Sequence, residues 1–324
     1  MQAIVCKAWG PPEDLELVTV ERPALGAGQV RIRVRAAGVN FPDVLIVQKK
    51  YQQQPALPFT PGNEVAGEVL EVAPDVRGFA PGDAVVSFCG LGGFAEEVVA
   101  PAADTFPMAP GLDFDTAAAF TLTYGTAWHA LCDRGALRAG ETVLVLGASG
   151  GVGLAAIEIA RAVGAKVIAA ASSAEKLALC REHGADALID YEHEDLRASL
   201  KQHTDGRGPD VVFDPVGGKY AEPTFRSIAW RGRYLVVGFA NGQIPALPWN
   251  LALLKGASLV GVFWGDFTRR EPDANAAGMA RLLGWLAEGK LRPHVSRTYA
   301  LAETAQALVD LRDRRATGKL VIKP

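Results

Sequence analysis

The stretch Gly147-Ala148-Ser149-Gly150-Gly151-Val152-Gly153 is where residue types and spacing point most directly to chemistry. It follows a run of Val and Leu at 142–147 and leads into an Ala- and Ile-rich segment at 151–163. Small residues at a strand-to-helix turn let backbone N–H groups approach a phosphate closely, and the helix N-terminus adds positive partial charge. The register is Ala148-x-Gly150-x-x-Gly153, with alanine where a dinucleotide fingerprint usually has its first glycine. Ala148, Ser149, Gly150, Gly151 and Val152 are the candidate pyrophosphate contacts, and Gly153 lets the helix pack on the strand. The competing reading is a glycine-rich turn without a ligand.

A second site of chemistry lies at the end of the next strand, Ala170-Ala171-Ser172-Ser173. Selection for NAD usually places an Asp or Glu there, bonded to the ribose 2′-OH. Here no carboxylate repels a 2′-phosphate, Ser173 donates a hydrogen bond, and Lys176 brings positive charge one turn into the helix. Ser172, Ser173 and Lys176 thus point to NADPH. Ser172-Ser173-Ala174-Glu175 also reads as a capping box, with Ser172 as N-cap and Glu175 at N3. The two readings are compatible.

These residues need elements to hold them. Strands at 142–147, 166–171, 187–190, 210–213, 232–237 and 258–263 alternate with helices at 151–163, 175–183 and 196–202. Continuous apolar strands alternating with helices predict a doubly wound parallel α/β sheet, and six strands is the full dinucleotide-binding count. The first third is different. Val30-Arg31-Ile32-Arg33-Val34-Arg35 alternates in the manner of a half-buried strand, and segments at 65–72, 84–88 and 95–99 follow, punctuated by Gly and Pro. A helix-compatible segment at 115–131 is interrupted at Gly125. The tail has helices at 275–288 and 302–314 and a closing strand at 319–322. The expected organisation is a discontinuous β-rich catalytic domain, 1–122 and 268–324, around a nucleotide domain at 123–267.

Composition narrows the classes. The chain has 324 residues, 49% hydrophobic and 21% charged, which suits two packed cores rather than disorder. A net charge of −3 gives no basic field for nucleic acid or an anionic membrane. No run approaches the ~18 apolar residues of a membrane span, and the start reads as a strand rather than a signal peptide. Four scattered cysteines fit neither a disulfide framework nor a zinc spacing, and a reducing cytoplasmic location is expected.

The chain resembles the medium-chain dehydrogenase/reductase superfamily, in its zinc-free NADPH:quinone oxidoreductase branch related to zeta-crystallin. The resemblance rests on Ala37-Gly38-Val39-Asn40-Phe41-Pro42-Asp43, Pro61-Gly62-Asn63-Glu64-Val65-Ala66-Gly67, Pro81-Gly82-Asp83-Ala84-Val85, the glycine turn, Asp190-Tyr191, Phe213-Asp214-Pro215-Val216-Gly217-Gly218 and Thr317-Gly318-Lys319, in this order over essentially the whole chain. It implies a GroES-like catalytic domain with a Rossmann domain, dimerised in many members through Rossmann sheet edges, so a homodimer is expected.

It also implies that Asn40 and Tyr51 line the substrate side of the nicotinamide, with Tyr51 donating to the acceptor oxygen; the alternatives are a turn asparagine and a surface loop tyrosine. By the same resemblance Thr126 contacts the nicotinamide side and Tyr191 the adenosine end. Gly238, Phe239, Phe263 and Trp264 end the fifth and sixth strands, placed to border the nicotinamide, with core packing as the other reading for the aromatics. Lys319 either reaches the cofactor phosphates or is simply exposed. Asp43 is read as structural. Zinc-holding relatives have Cys near Asn40 and His at Asn63, and amides do not replace those ligands. Leu45 departs from a tyrosine of the quinone reductase pattern and leaves the acceptor open. The expected activity is hydride transfer from NADPH to quinones. An enoyl-thioester or enone reductase is the nearest alternative, and an NADPH-binding structural or nucleic-acid-binding protein a further one.

Overall fold

The computed structural model describes residues 1–108 and 111–324 and divides into two compact units, Met1–Leu122 with Pro293–Pro324, and Thr123–Arg292. In the first, β1 (Gln2–Val5) and β2 (Glu16–Thr19) form an antiparallel pair. Then come β3 (Gln29–Val39), α1 (Phe41–Val47), β4 (Glu64–Val72), β5 (Ala84–Phe88), β6 (Glu97–Pro101), β7 (Thr105–Pro107) and α2 (Phe114–Ala118). β3 is the long central strand. Its alternation buries Val30, Ile32 and Val34, while Arg31 and Arg35 point to acidic partners on β4, Glu71 at 3.1 Å and Glu68 at 2.9 Å. The half-buried strand expected at 30–35 is therefore present. Helix α1 is not legible as a periodic helix because it spans only seven residues.

α3 (Thr121–Trp128) carries the chain into the second unit and continues as a π-helical turn over His129–Arg134. Contrary to the sequence expectation, Gly125 does not interrupt this helix. A Cβ at Gly125 would lie 2.5 Å from the Trp264 ring, so glycine answers a packing demand there. The break falls instead between α2 and α3.

The second unit then alternates β8 (Thr142–Leu146), α4 (Gly151–Val163), β9 (Lys166–Ala171), α5 (Ala174–Glu182), β10 (Ala187–Asp190), α6 (Leu196–His203), β11 (Val211–Asp214), α7 (Ala221–Ser227), β12 (Arg233–Val236), α8 (Asn250–Lys255) and β13 (Ser258–Gly261). The six strands are all parallel, in the order β10-β9-β8-β11-β12-β13. Numbered from β8, this is the 3-2-1-4-5-6 order of a dinucleotide-binding sheet. Leu144, Leu146, Ile168, Val212, Phe225 and Tyr234 form its core.

α9 (Trp264–Arg270) and α10 (Pro272–Ala287) follow. Both belong to the second unit, so the return to the first comes at Pro293 rather than at 268. The physical reason is packing. Trp264 donates its indole N–H to Asn275 on α10 at 3.2 Å, and a Cβ at Gly278 of α10 would meet Trp128 at 2.8 Å. The tail adds β14 (Val295–Ala300), α11 (Thr304–Arg312) and β15 (Lys319–Lys323) to the first unit. The larger sheet there runs β14-β15-β3-β4-β5-β7, with β6 also on β3. Pairing of β15 with β3 sets Leu320 opposite Val39, which brings Lys319 beside the β3–α1 junction. Among the described residues no helix is long and apolar enough to cross a membrane.

Candidate active site

The glycine turn is built in three steps. Gly147 takes the left-handed conformation, φ +57°, at the end of β8. The Ala148 N–H then donates to the Ala170 carbonyl of β9 at 3.1 Å, and its methyl group is fully buried. Ala148 is not among the positive-φ residues, so the alanine at the usual first glycine costs nothing: the conformational demand falls on Gly147. Gly150 caps α4 in extended conformation with no side-chain cap, leaving the first N–H groups of the helix without intrahelical partners. Ser149, Gly151 and Val152 stand around that opening, Ser149 buried and the other two half-buried. At Gly153 a Cβ would lie 2.6 Å from the carbonyl oxygens of both Gly147 and Ala148, so α4 starts directly on the strand end.

At the end of β9 the cap is Ser173, not Ser172. Its Oγ accepts the Lys176 N–H at 3.3 Å, which puts Glu175 at N2 and rules out the expected capping box. Ser172 is thereby freed, and its hydroxyl accepts from the Lys176 ammonium at 3.3 Å. Tyr191, just past β10, lies 4.3 Å from the Tyr220 ring at 38°. The Tyr220 hydroxyl bonds Glu192, and Lys219 pairs with Glu192 at 3.0 Å. Glu192, Lys219 and Tyr220, which surround Tyr191, are not among the sequence candidates. Glu192 lies two residues past β10, and Lys219 and Tyr220 lie on the turn that leads from β11 into α7.

The remaining strand ends differ among themselves. Asp214 at the end of β11 accepts from the Val216 and Gly217 N–H groups, both at 2.8 Å, and from the Tyr234 hydroxyl at 2.5 Å. Burial raises its pKa, and its role is to fix the turn. Gly238 follows β12 with its N–H on the Asp214 carbonyl at 3.2 Å, and Phe239 lies against Gly217. Phe263 is 45% exposed. Trp264 is buried beneath Gly125 and bonded to Asn275, so the core-packing reading replaces its expected cofactor contact. Thr126 is half-buried on α3.

The first unit gathers five polar side chains that are almost fully buried: Asn40, Asp43, Asn63, Glu64 and Lys319. Asn40 opens α1, and its N–H donates to Asp43 Oδ2 at 2.8 Å. Its side-chain amide donates to Glu64 Oε1 at 2.8 Å and its oxygen accepts from Lys319 Nζ at 2.6 Å. Lys319 Nζ also reaches Glu64 Oε1 at 2.6 Å, and Glu64 Oε2 accepts the Leu122 N–H at 2.7 Å. Asn63 donates to Asp43 Oδ1.

Two expectations change here. Lys319 is neither exposed nor turned to a phosphate, because its ammonium neutralises a buried carboxylate that would otherwise stand unpaired. The Asn40 side chain is committed to the same network, so it positions rather than contacts an acceptor. Burial pushes the Asp43 carboxyl up to about 7, against the lowering influence of the Asn40 N–H and the Lys319 charge. Tyr51 packs on the cluster of Cys6, Ile46, Val47 and Phe59. Its phenol is raised by burial first and by the Asp43 charge second, and it has no hydrogen-bond partner among the described residues. Burial likewise raises the Cys89 thiol.

Residues 26–110 match the family described as "Alcohol dehydrogenase GroES-like domain", and residues 151–280 the one described as "Zinc-binding dehydrogenase". The chain is 40% identical over 324 residues to quinone oxidoreductase-like protein 2 homolog of Nematostella vectensis, covering 99% of this chain and 88% of that protein. It is 37% identical to a quinone oxidoreductase of Pseudomonas aeruginosa, covering 98% of each. The crystal structure of Escherichia coli quinone oxidoreductase complexed with NADPH superimposes with a TM-score of 0.94 at 26% identity, covering 100% of both chains. The donor chemistry of the buried cluster does not fit the zinc ion that one family description names. Asn40 and Asn63 offer amides, and the Lys319 ammonium already occupies Glu64 and the Asn40 oxygen. Among the described residues no His, Cys, Asp and Glu side chains group as a metal site.

Proposed function

This chain belongs to the quinone oxidoreductase family of the medium-chain dehydrogenases/reductases, and from that premise we propose that it transfers hydride from NADPH to a quinone without a metal. The observation that carries the cofactor choice is the strand end after β9, where Lys176 and Ser172 stand together and no carboxylate opposes a 2′-phosphate. NADPH, when bound, supplies the hydride. The N–H groups at the start of α4, with Ala148, Ser149, Gly150, Gly151 and Val152, would hold the pyrophosphate. Ser172, Ser173 and Lys176 would hold the 2′-phosphate, and Tyr191 would border the adenosine. Thr126, Gly238, Phe239 and Phe263 would border the nicotinamide. A hydrogen bond from the Tyr51 phenol would stabilise the negative charge that develops on the acceptor oxygen, and the Asn40–Lys319–Glu64 network fixes the start of α1.

A homodimer through the β13 edge belongs to the same reading. β13 pairs on one side only, and large apolar side chains are exposed on β13 itself, at Leu259, and on the preceding segment, at Trp249 (93% exposed), Leu253 and Leu254.

Steady-state assays test the reading. Initial rates with 1,4-benzoquinone, 9,10-phenanthrenequinone and crotonyl-CoA, each with NADPH and NADH, should give the highest kcat/KM for a quinone with NADPH. A higher rate on crotonyl-CoA would overturn the acceptor, and a preference for NADH would overturn the cofactor. Lys176→Glu should erode the NADPH preference by about tenfold or more, the loss of one charge-assisted contact and its replacement by repulsion.

A further inference from the structure

The parallel sheet of the second unit has a feature at the ends of its strands opposite the glycine turn. Gly208 comes just before β11, Ser227 just before β12 and Lys255 just before β13, hence at the amino ends of these strands, whereas the turn follows the carboxyl end of β8. Together with α6 these segments enclose a depression of about 350 Å³, lined by Asp195, Arg197, Lys201, Arg226, Ser227 and Lys255. Arg197 and Lys201 stand four residues apart on α6, one helical turn, so two like charges share a face. Lys255 is the last residue of α8 and Arg226 lies in the last turn of α7.

The one acid in this lining makes no ion pair with these cations. Asp195 caps α6, its Oδ1 accepting the Arg197 and Ala198 N–H groups at 2.9 and 3.0 Å. Arg226 has a partner in Glu222, through Nε and Nη2 at 2.8 and 2.6 Å, which leaves its third nitrogen. The side chains of Arg197, Lys201 and Lys255 have no ion-pair or hydrogen-bond partner among the described residues. A comparable depression in the first unit shows the contrast. There Asp310 is held by Tyr299 at 2.6 Å and Gln306 at 2.8 Å, and both arginines of the lining pair with it, Arg315 at 2.8 Å and Arg297 at 3.6 Å, so the cations of that site have a carboxylate partner.

Three unpaired cations and a free guanidinium nitrogen, drawn from three helices, converge on one small concavity in a chain whose net charge is −3. An anion bearing several charges pairs with such a group of cations at once, and guanidinium groups pair best with phosphate oxygens. We propose that this depression binds a small oligophosphate, of pyrophosphate size, at a site separate from the coenzyme turn. Its occupancy ties the ends of α6, α7 and α8 together and so stabilises the second unit by linkage. The proposal does not depend on the identity of the hydride acceptor.

Isothermal titration of inorganic pyrophosphate into the full chain saturated with NADPH tests it, with sodium chloride at matched ionic strength as reference. One equivalent should bind with the coenzyme in place, and the same addition should raise Tm. The exposed pair Arg197→Glu/Lys201→Glu should weaken binding by about a hundredfold, and Lys255→Glu on a separate helix by about tenfold, with far-UV circular dichroism unchanged. Three results would overturn the proposal: no binding beyond the chloride reference, displacement of pyrophosphate by NADPH, which would assign it to the glycine turn, or undiminished binding in both charge-reversal proteins.

Discussion

Replacing Asp43 by asparagine isolates the energetics of the buried cluster. The carboxyl is fully buried, takes N–H bonds on both oxygens, and is pushed up to about 7 from an ordinary value of 3.8. The folded state therefore keeps a proton that the unfolded chain releases between about pH 4 and pH 7. In that window the folded state binds more protons, so stability falls as pH rises, and it levels off above the folded pKa. Each unit of pKa difference corresponds to about 1.4 kcal/mol, so the loss between pH 5 and pH 8 is roughly 2 to 3 kcal/mol. An amide cannot ionise, and in the Asp43→Asn variant it would retain an acceptor for one of the two donors, at a pH-independent cost of about 1 to 3 kcal/mol. The wild-type-minus-variant difference in unfolding free energy should therefore shift toward the variant by roughly 2 to 3 kcal/mol from pH 5 to pH 8. Urea unfolding at fixed ionic strength measures it, because other titrating groups cancel in the difference. A carboxyl carbon NMR titration of the folded protein reads the same pKa directly. A difference that is flat with pH, or a carboxyl that titrates near 4, would refute the reasoning and mean that Lys319 and the Asn donors outweigh burial.

Three further outcomes follow from the same geometry. Gly153→Ala places a Cβ 2.6 Å from two backbone carbonyls that cannot rotate away, so α4 must shift; about 1 to 3 kcal/mol of stability and a measurable part of the coenzyme affinity should be lost, read by Tm and by fluorescence titration with NADPH. Lys319→Met leaves Glu64 as an uncompensated buried charge and should cost about 3 to 5 kcal/mol in urea unfolding, with most of it recovered when Glu64→Gln is added. Trp249→Ala with Leu253→Ser removes two exposed apolar groups from the segment that precedes β13, and sedimentation velocity should show a dimer for the parent chain and a monomer for the variant; a parent chain that sediments as monomer would dismiss the interface.

The nucleotide unit was largely legible from local pattern. Its strands are short continuous apolar runs between helices, a signal that depends only on neighbours in sequence, and the turn Gly147–Gly153 follows one of them. Boundaries failed where a distant partner sets them. Gly125 reads as a helix breaker until Trp264 is seen lying on it, and the tail of the second unit reads as catalytic domain until α10 is seen bonded to Trp264. Ser172 and Ser173 are equivalent caps in sequence; backbone geometry chose Ser173 and so released Ser172 to Lys176.

The chemistry of the first unit divides the same way. Sequence alone determined that Asn stands at 40 and 63 and that no thiolate or imidazole is offered there, since side-chain chemistry needs no fold to be known. It determined the glycine turn and the missing acid after β9 for the same reason. Only tertiary structure decided that Lys319, 279 residues from Asn40, closes on it and on Glu64, because β15 pairs with β3 although the whole second unit separates them in sequence. A buried cation finds its counter-charge through space, and no spacing along the chain records that meeting.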